Sequence, residues 1–208
     1  MKPFILVLAV SLPGATQSAT LRHDVSTHSL WVQGGALNNS DIRRIETLLD
    51  VHREIRTVHF LEIQGGNSLL ARMVLDAGLR SRAVEVHGRC SGACAIAALM
   101  SAAPVLHPDA TVTFREQWGF YRHLATKAHR EELMAFLALK LPTVPQPLLD
   151  GAVNRVWPHE RALVLRPAGD GSGSIEVTHC EPAPTRCVRV TRLRPGDSVM
   201  SVRPSTGL

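Results

Sequence analysis

At 208 residues with 45% hydrophobic content, the chain is long enough to bury one well-packed core, which excludes disorder along its whole length and makes one cored unit the default. The formal net charge is +5, yet the cations are scattered singly or in pairs such as Arg43 and Arg44. There is no block of five like charges and no aromatic interleaving to stack bases, which excludes a nucleic-acid footprint and leaves a solvated basic surface.

The first residues, MKPFILVLAVSLPGATQSA, carry Lys2, an apolar run over 4–12 and then small residues. That is the layout of a secretory signal, with residues 1–19 removed by a cut near Ala19. The run is too short to span a bilayer, and no later apolar run reaches spanning length. The expected product is periplasmic or secreted, with no membrane attachment after cleavage.

Residues 30–33, LWVQ, predict a strand that runs into the turn GGALNN, after which Ser40 is placed to cap a helix with apolar positions Ile42, Ile45, Leu48 and Leu49. Residues 56–63 predict a buried strand, with Val58, Phe60 and Ile63 inside and an apolar Leu61 on the other face. QGGN follows, with Asn67 placed to cap a second helix that carries Leu69, Leu70, Met73, Val74 and Ala77 and is closed by Gly78. Residues 83–87 predict a further strand, which GRCSGAC turns into a third helix, AIAALMSA. ATVTF, residues 110–114, is the next strand. Strands separated by helix-length segments imply crossover connections and a mostly parallel sheet, hence an α/β protein.

From 118 to 141 the pattern is helical, in two pieces, with Leu133, Phe136, Leu137 and Leu141 on one face; Pro142, Pro145 and Pro147 end it. A short helix over 148–156 and a Gly/Ser linker over 167–174 precede two alternating segments, SIEVTH and VRVTRL, on either side of EPAPTR. The tail SVRPSTGL reads as frayed. The organisation expected is a signal at 1–19, an α/β domain at 20–166, and linker, hairpin and tail at 167–208.

An exported chain can keep disulfides, and its four cysteines can pair in three ways. The expected pairing is local, Cys90 with Cys94 and Cys180 with Cys187, the second clamping the hairpin at the base of its loop. A competing use of the first pair is metal binding, because His87, Cys90 and Cys94 form H-x2-C-x3-C and His59 can approach from the neighbouring strand as a fourth donor. The spacing is not a standard finger, and disulfides are the commoner fate outside the cytosol. No metal and no cofactor is therefore expected. A redox role is weaker still, since resolving pairs are usually C-x-x-C.

The order of parts resembles the ClpP/crotonase superfamily: LWVQGGALNNSDIRRIETLL, then VHFLEIQGGNSLLARMVLDAGL, then AVEVHGRCSGACAIAALMSAAP, then HPDATVTF. It is similar more narrowly to exported, ClpP-like bacterial proteins whose elbow reads Gly-x-Cys-x-Ser-Ala-Cys. The resemblance covers residues 30 to 120, extends more weakly to about 165, and leaves out the C-terminal hairpin. It implies a ClpP/crotonase-like spiral of βαβ units, with the disulfide-clamped β-hairpin appended.

It also implies a serine nucleophile at the elbow, a Gly-Gly loop offering N–H groups to an oxyanion, and a histidine base on the strand after the elbow helix. Gly88, Cys90, Ala93 and Cys94 fit the elbow, but the serine position holds Gly92, and Ser91 lies one place early. The base position holds Arg115, whose guanidinium cannot accept a proton near neutral pH. Gly65 and Gly66 keep the two glycines of the loop, without the Ser-Pro that commonly precedes them. Triad members act as a unit, so these departures point away from catalysis. The expected function is a non-catalytic peptide-binding, protein-binding or assembly role in an exported, degenerate ClpP-like protein, with self-association as a carry-over. The alternative is a serine hydrolase that uses Ser91 with a non-standard base.

The other chemistry-bearing residues have plain expectations. Trp118, Phe120 and Tyr121 pack a core edge, while Glu131 and Glu132 lie on a solvated helix face. His123 and His129, six apart, do not share a helical face. His107 matches no catalytic position, and Glu160 serves a helix start.

Overall fold

The computed structural model describes residues 18–115, 127–153, 162–181 and 186–204. The readings placed on residues 1–17, Trp118, Phe120, Tyr121, His123, Glu160, the loop 182–185 and the last four residues lie outside them.

Strand β1 (Thr20–Asp24) forms an antiparallel hairpin with β2 (Ser29–Gln33). Helix α1 (Asn39–Val51) leads to β3 (Thr57–Gln64), and α2 (Ser68–Leu79) leads to β4 (Ala83–Ser91). Helix α3 (Ala93–Met100) connects to β5 (Pro104–Leu106) and β6 (Thr111–Phe114). Strands β2, β3 and β4 are parallel neighbours, and β4 is parallel to both β5 and β6. The parallel, βαβ-built centre expected from the sequence is what forms.

Alternation along the strands selects the core. Leu30, Val32, Val58, Phe60, Val84 and Val86 are all buried, in one cluster with Ile42, Ile45 and Leu49 of α1 and Ala71, Leu75 and Leu79 of α2. All eight residues of α3 are buried, which is why that helix is made only of Ala, Cys, Ile, Leu and Met.

Three details differ from expectation. Asn38, not Ser40, caps α1: its side chain accepts the Asp41 N–H at 2.9 Å, and Asp41 answers with a capping box. Ser40 lies inside the first turn and its hydroxyl donates to Asn38 Oδ1 at 2.6 Å. Gly78 does not end α2, which runs on to Leu79; Leu49 packs 3.1 Å from where a Gly78 Cβ would sit, so the glycine serves a close helix contact. The strand expected at 83–87 continues to Ser91, so most of GRCSGAC is strand and the turn falls at Gly92. Asn67 caps α2 as expected, accepting the Leu70 N–H at 2.9 Å.

The reach of β4 depends on a paired irregularity. Glu62 in β3 (φ 57°) and Gly88 in β4 (φ 58°) both have left-handed backbone where the register slips. A Cβ on Gly88 would lie 2.0 Å from Glu62 Oε1, so the Glu62 side chain would have to move, and the positive φ itself favours glycine there. On one side of this bend β4 pairs with β5, through Val84–Val86; on the other, Arg89, Cys90 and Ser91 pair with β6.

The far flank is antiparallel. Helices α4 (Lys127–Lys140) and α5 (Gln146–Val153) precede β7 (Ala162–Pro167), which the sequence did not announce and which pairs with β6. Strands β8 (Ile175–Glu181) and β9 (Arg186–Leu193) continue the same sheet. The Gly/Ser stretch read as a linker is the turn between β7 and β8, closed by the Ala168 N–H on the Ser174 carbonyl at 2.9 Å. The tail read as frayed is ordered in its described part: the short β10 (Ser201–Val202) returns to lie parallel to β5, whose backbone pairs with it. Both local disulfides form, Cys90–Cys94 and Cys180–Cys187. No described helix is long and apolar enough to cross a membrane.

Gly88→Ala should destabilise the fold by about 1–3 kcal/mol for the backbone alone, and by more because its Cβ meets Glu62. Gly171→Ala, at a similar φ of 73° but in open space, should show the backbone cost only. Urea unfolding of the two variants beside wild type measures the difference.

Candidate functional site

The elbow opens onto a cleft of about 610 Å³ lined by Gln64, Gly65, Gly66, Arg89, Ser91, Gly92, Thr111, Thr113, Arg115 and Arg166. The lining follows from strand period. Thr111, Thr113 and Arg115 share one face of β6 and its extension, while Val112 and Phe114 turn into the core. Ser91 stands beside Gln64 on one neighbour and Thr113 on the other.

Gly92 sits at the strand-to-helix turn itself, with φ 55° and ψ −118°, and its N–H donates to the Thr113 carbonyl at 3.2 Å. A Cβ at Gly92 would press to 3.3 Å from the Cα of Gly65, so the Gly-Gly loop closes tightly over the turn. Gly66 (φ 129°) is equally constrained, since a Cβ there would strike the Leu37 carbonyl oxygen at 2.3 Å. Ser91, by contrast, is the last residue of β4, and its hydroxyl donates to the Ile63 carbonyl at 3.5 Å, along the sheet. The cysteines bridge the turn from β4 to the first turn of α3 and offer no thiol.

Among the described lining residues the charge is one-sided, with three guanidiniums, from Arg89, Arg115 and Arg166, and no carboxylate. Arg89 is anchored from outside: its Nε donates to Glu62 Oε2 at 2.9 Å, which holds the Glu62 carboxyl below its ordinary range. Among the described lining residues there is no imidazole, carboxylate or amine to accept a proton. This cleft suits an anion held by guanidinium forks and hydroxyls.

A second constellation was only half visible in the sequence. His59 on β3, Glu85 and His87 on β4, and His107 just past β5 converge on the outward face of the sheet. His59 Nδ1 lies 3.3 Å from His87 Nε2 and 3.5 Å from Glu85 Oε2. His107 Nε2 is 2.9 Å from the same Glu85 oxygen, and the Arg203 guanidinium bonds the other. Trp31 stacks on His59 with ring centres 4.0 Å apart. The sequence grouped His59 and His87 with Cys90 and Cys94, but the disulfide removes both sulfurs. Glu85 was missed because a carboxylate in a run of core valines gives no signal until β3, β4 and β5 are aligned; the E-V-H alternation was its one trace.

Burial lowers the His59 imidazole below the ordinary histidine range, against the upward pull of Glu85. Burial also lowers His87, with His107 and His59 acting in the same sense. For Glu85 burial acts upward, but the hydrogen bond from His107 and the charges of His59 and Arg203 outweigh it, and the carboxyl lies below its usual range.

No protein-family model matches the chain, and no curated protein matches it either. Solved structures do. ClpP1 from Listeria monocytogenes is similar at 11% identity and TM-score 0.49, over 62% of this chain and 81% of that one. A putative enoyl-CoA hydratase from Streptomyces coelicolor A3(2) is similar at 12% identity and TM-score 0.49, over 99% of this chain and 73% of the other. An enoyl-CoA hydratase/isomerase from Marinobacter aquaeolei is similar at 12% identity and TM-score 0.44, over 63% of this chain and only 61% of its own length. The structural neighbours are thus a ClpP and enoyl-CoA hydratases. The likeness is loose at these scores, and it transfers neither substrate nor chemistry to this chain.

The histidine cluster makes stability depend on pH. With both imidazoles lowered in the fold, the unfolded chain binds more protons below its own histidine value of about 6.5, so stability falls as pH drops through that value. Thermal melts in metal-free buffer should give a lower Tm at pH 5.5 than at pH 7.5, and the difference should shrink in the His59→Gln/His87→Gln double variant.

Proposed function

We propose that this chain is an exported protein of ClpP/crotonase-like fold whose cleft binds a peptide or protein ligand through its carboxylates and does not cleave it. The observation that carries this reading is the elbow: the strand-to-helix turn holds Gly92, and the cleft around it offers guanidiniums but no described base. A serine hydroxyl needs a partner that takes its proton, and an arginine at the base position cannot do so. Arg115 and Arg166 match the planar, two-oxygen geometry of a carboxylate, with Thr111 and Thr113 beside them. Two disulfides and the signal-like first residues support an oxidising, extracytoplasmic setting. An assembly role through self-association belongs to the same reading.

The rival is a hydrolase in which Ser91, which does line the cleft, attacks with a base of another kind. A fluorophosphonate probe separates the two. The binding reading expects no serine-dependent labelling, whereas labelling of wild type that disappears in Ser91→Ala establishes the hydrolase. Gly92→Ser, which returns a hydroxyl to the turn, should also stay unlabelled, because the base is missing as well.

Binding itself is measured by fluorescence anisotropy with acidic peptides and their amidated counterparts. Only the acidic set should bind. Arg115→Gln and Arg166→Gln should each weaken it roughly tenfold or more, the worth of one charge-assisted hydrogen bond.

A further inference from the structure

We propose that His59, Glu85 and His87 form a binding site for a first-row divalent cation of the Zn²⁺ class. The site is separate from the elbow cleft and independent of what that cleft binds. The three ligand atoms stand 3.3, 3.5 and 3.9 Å apart. The nearest point equidistant from all three lies about 2.1 Å from each, in their plane, so a small closing of the ligand atoms lets an ion sit just out of that plane at Zn–N and Zn–O bond lengths of roughly 2.0–2.2 Å. Two imidazole nitrogens and one carboxylate oxygen are the donor set that such ions take in three-ligand sites, with a fourth position left for water or a further donor.

His59 Nδ1 faces both His87 Nε2 and Glu85 Oε2, and in the metal-free protein a single proton between the two imidazoles holds them together. A cation at the centre meets all three lone pairs at once. The surroundings already hold the ligands in place. Trp31 stacks nearly parallel to His59, with an interplanar angle of 8°, and fixes the plane of that ring. His107 packs against His87 with ring centres 3.6 Å apart and planes tilted by 30°, and its Nε2 reaches Glu85 Oε2. Arg203 holds Oε1, so Glu85 presents Oε2 alone and binds through one oxygen. Outer contacts of this kind orient metal ligands. The side chains of His59, Glu85 and His87 keep 13%, 11% and 19% of their exposure, enough for an ion to enter from solvent.

A second grouping, His23, His52 and Glu54, is the internal control. It joins β1 to the end of α1, and its carboxylate side chain is 43% exposed. The proposal assigns the tight site to the sheet and not to this pair of elements.

The test is titration of the chelator-treated full-length protein with Zn²⁺, competed against a chromophoric chelator, and with Co²⁺ followed by visible absorption. The expected result is one equivalent of tight binding, weakened at least tenfold in each of His59→Gln, Glu85→Gln and His87→Gln and unchanged in His52→Gln. Circular dichroism of each metal-free variant checks folding. The wild-type Co²⁺ spectrum needs no variant: a four-coordinate d–d band without a thiolate charge-transfer band is expected. No stoichiometric binding, a thiolate band, binding indifferent to the three substitutions, or binding lost in His52→Gln would each overturn the proposal.

Discussion

The crossing of Glu62 and Gly88 is the constraint on which the rest of the sheet depends. Two adjacent parallel strands take left-handed backbone side by side, and the carboxylate of one fills the space where the other would carry a Cβ. The bend is tied from three directions: Glu62 accepts from the Arg89 N–H and side chain, and the Gly88 N–H donates to Asp109 Oδ2 at 3.2 Å. Asp109 belongs to the link between β5 and β6, so the same contact that holds the bend sets where β6 begins. Without it, β4 would present one straight edge to one partner. With it, β4 gives one half to β5 and the other to β6, and the outward side chains of each half enter different surroundings.

The division separates the two constellations. Glu85 and His87 precede the bend and meet the histidines of β3 and of the β5 end, in a half-buried setting that favours the neutral form of His59 and His87. Arg89 and Ser91 follow it and meet the threonines of β6 and the Gly-Gly loop, in an open cleft of positive charge. One strand thus carries two unlike sites on one face, a few residues apart. Sheet alternation alone accounts for this, since positions 85, 87, 89 and 91 point outward while Val84, Val86 and Cys90 are buried.

The central βαβ run was legible in the sequence because its strands and helices carry strong and different periods, and because Asn67 and the apolar spacing of α1 mark their own elements. Three things were not. Strand β1 lies in a stretch of mixed polarity, TLRHD, and β7 in a short unalternating apolar run, ALVLRP, which periodicity alone does not assign to a strand; pairing with β2 and β6 makes both of them strands. The start of α1 was ambiguous because Asn38, Asn39 and Ser40 are all good caps, and the choice falls to Asn38 through its exchange with the buried Asp41. The cleft was legible at Gly65, Gly66, Ser91, Gly92 and Arg115, which adjacent elements bring to one place. Arg89, Thr111 and Arg166 were invisible as lining residues, because only strand register puts them there. The histidine cluster shows the same limit, since His59, the Glu85–His87 pair and His107 come from three separate stretches of chain.

The C-terminal segment closes over that cluster and belongs to its energetics. Strand β10 lies along β5, the Arg203 N–H donates to the Leu106 carbonyl at 2.9 Å, and the Arg203 side chain reaches Glu85. A guanidinium beside a carboxylate lowers the cost of burying that charge, and it weakens the pull of the carboxylate on the neighbouring imidazoles. Displacing β10 would therefore leave Glu85 with the histidines as its partners and raise the tendency of His59 to take a proton. Arg203 thus offsets the Glu85 charge from the side opposite His59, and β10 is part of what holds the cluster together.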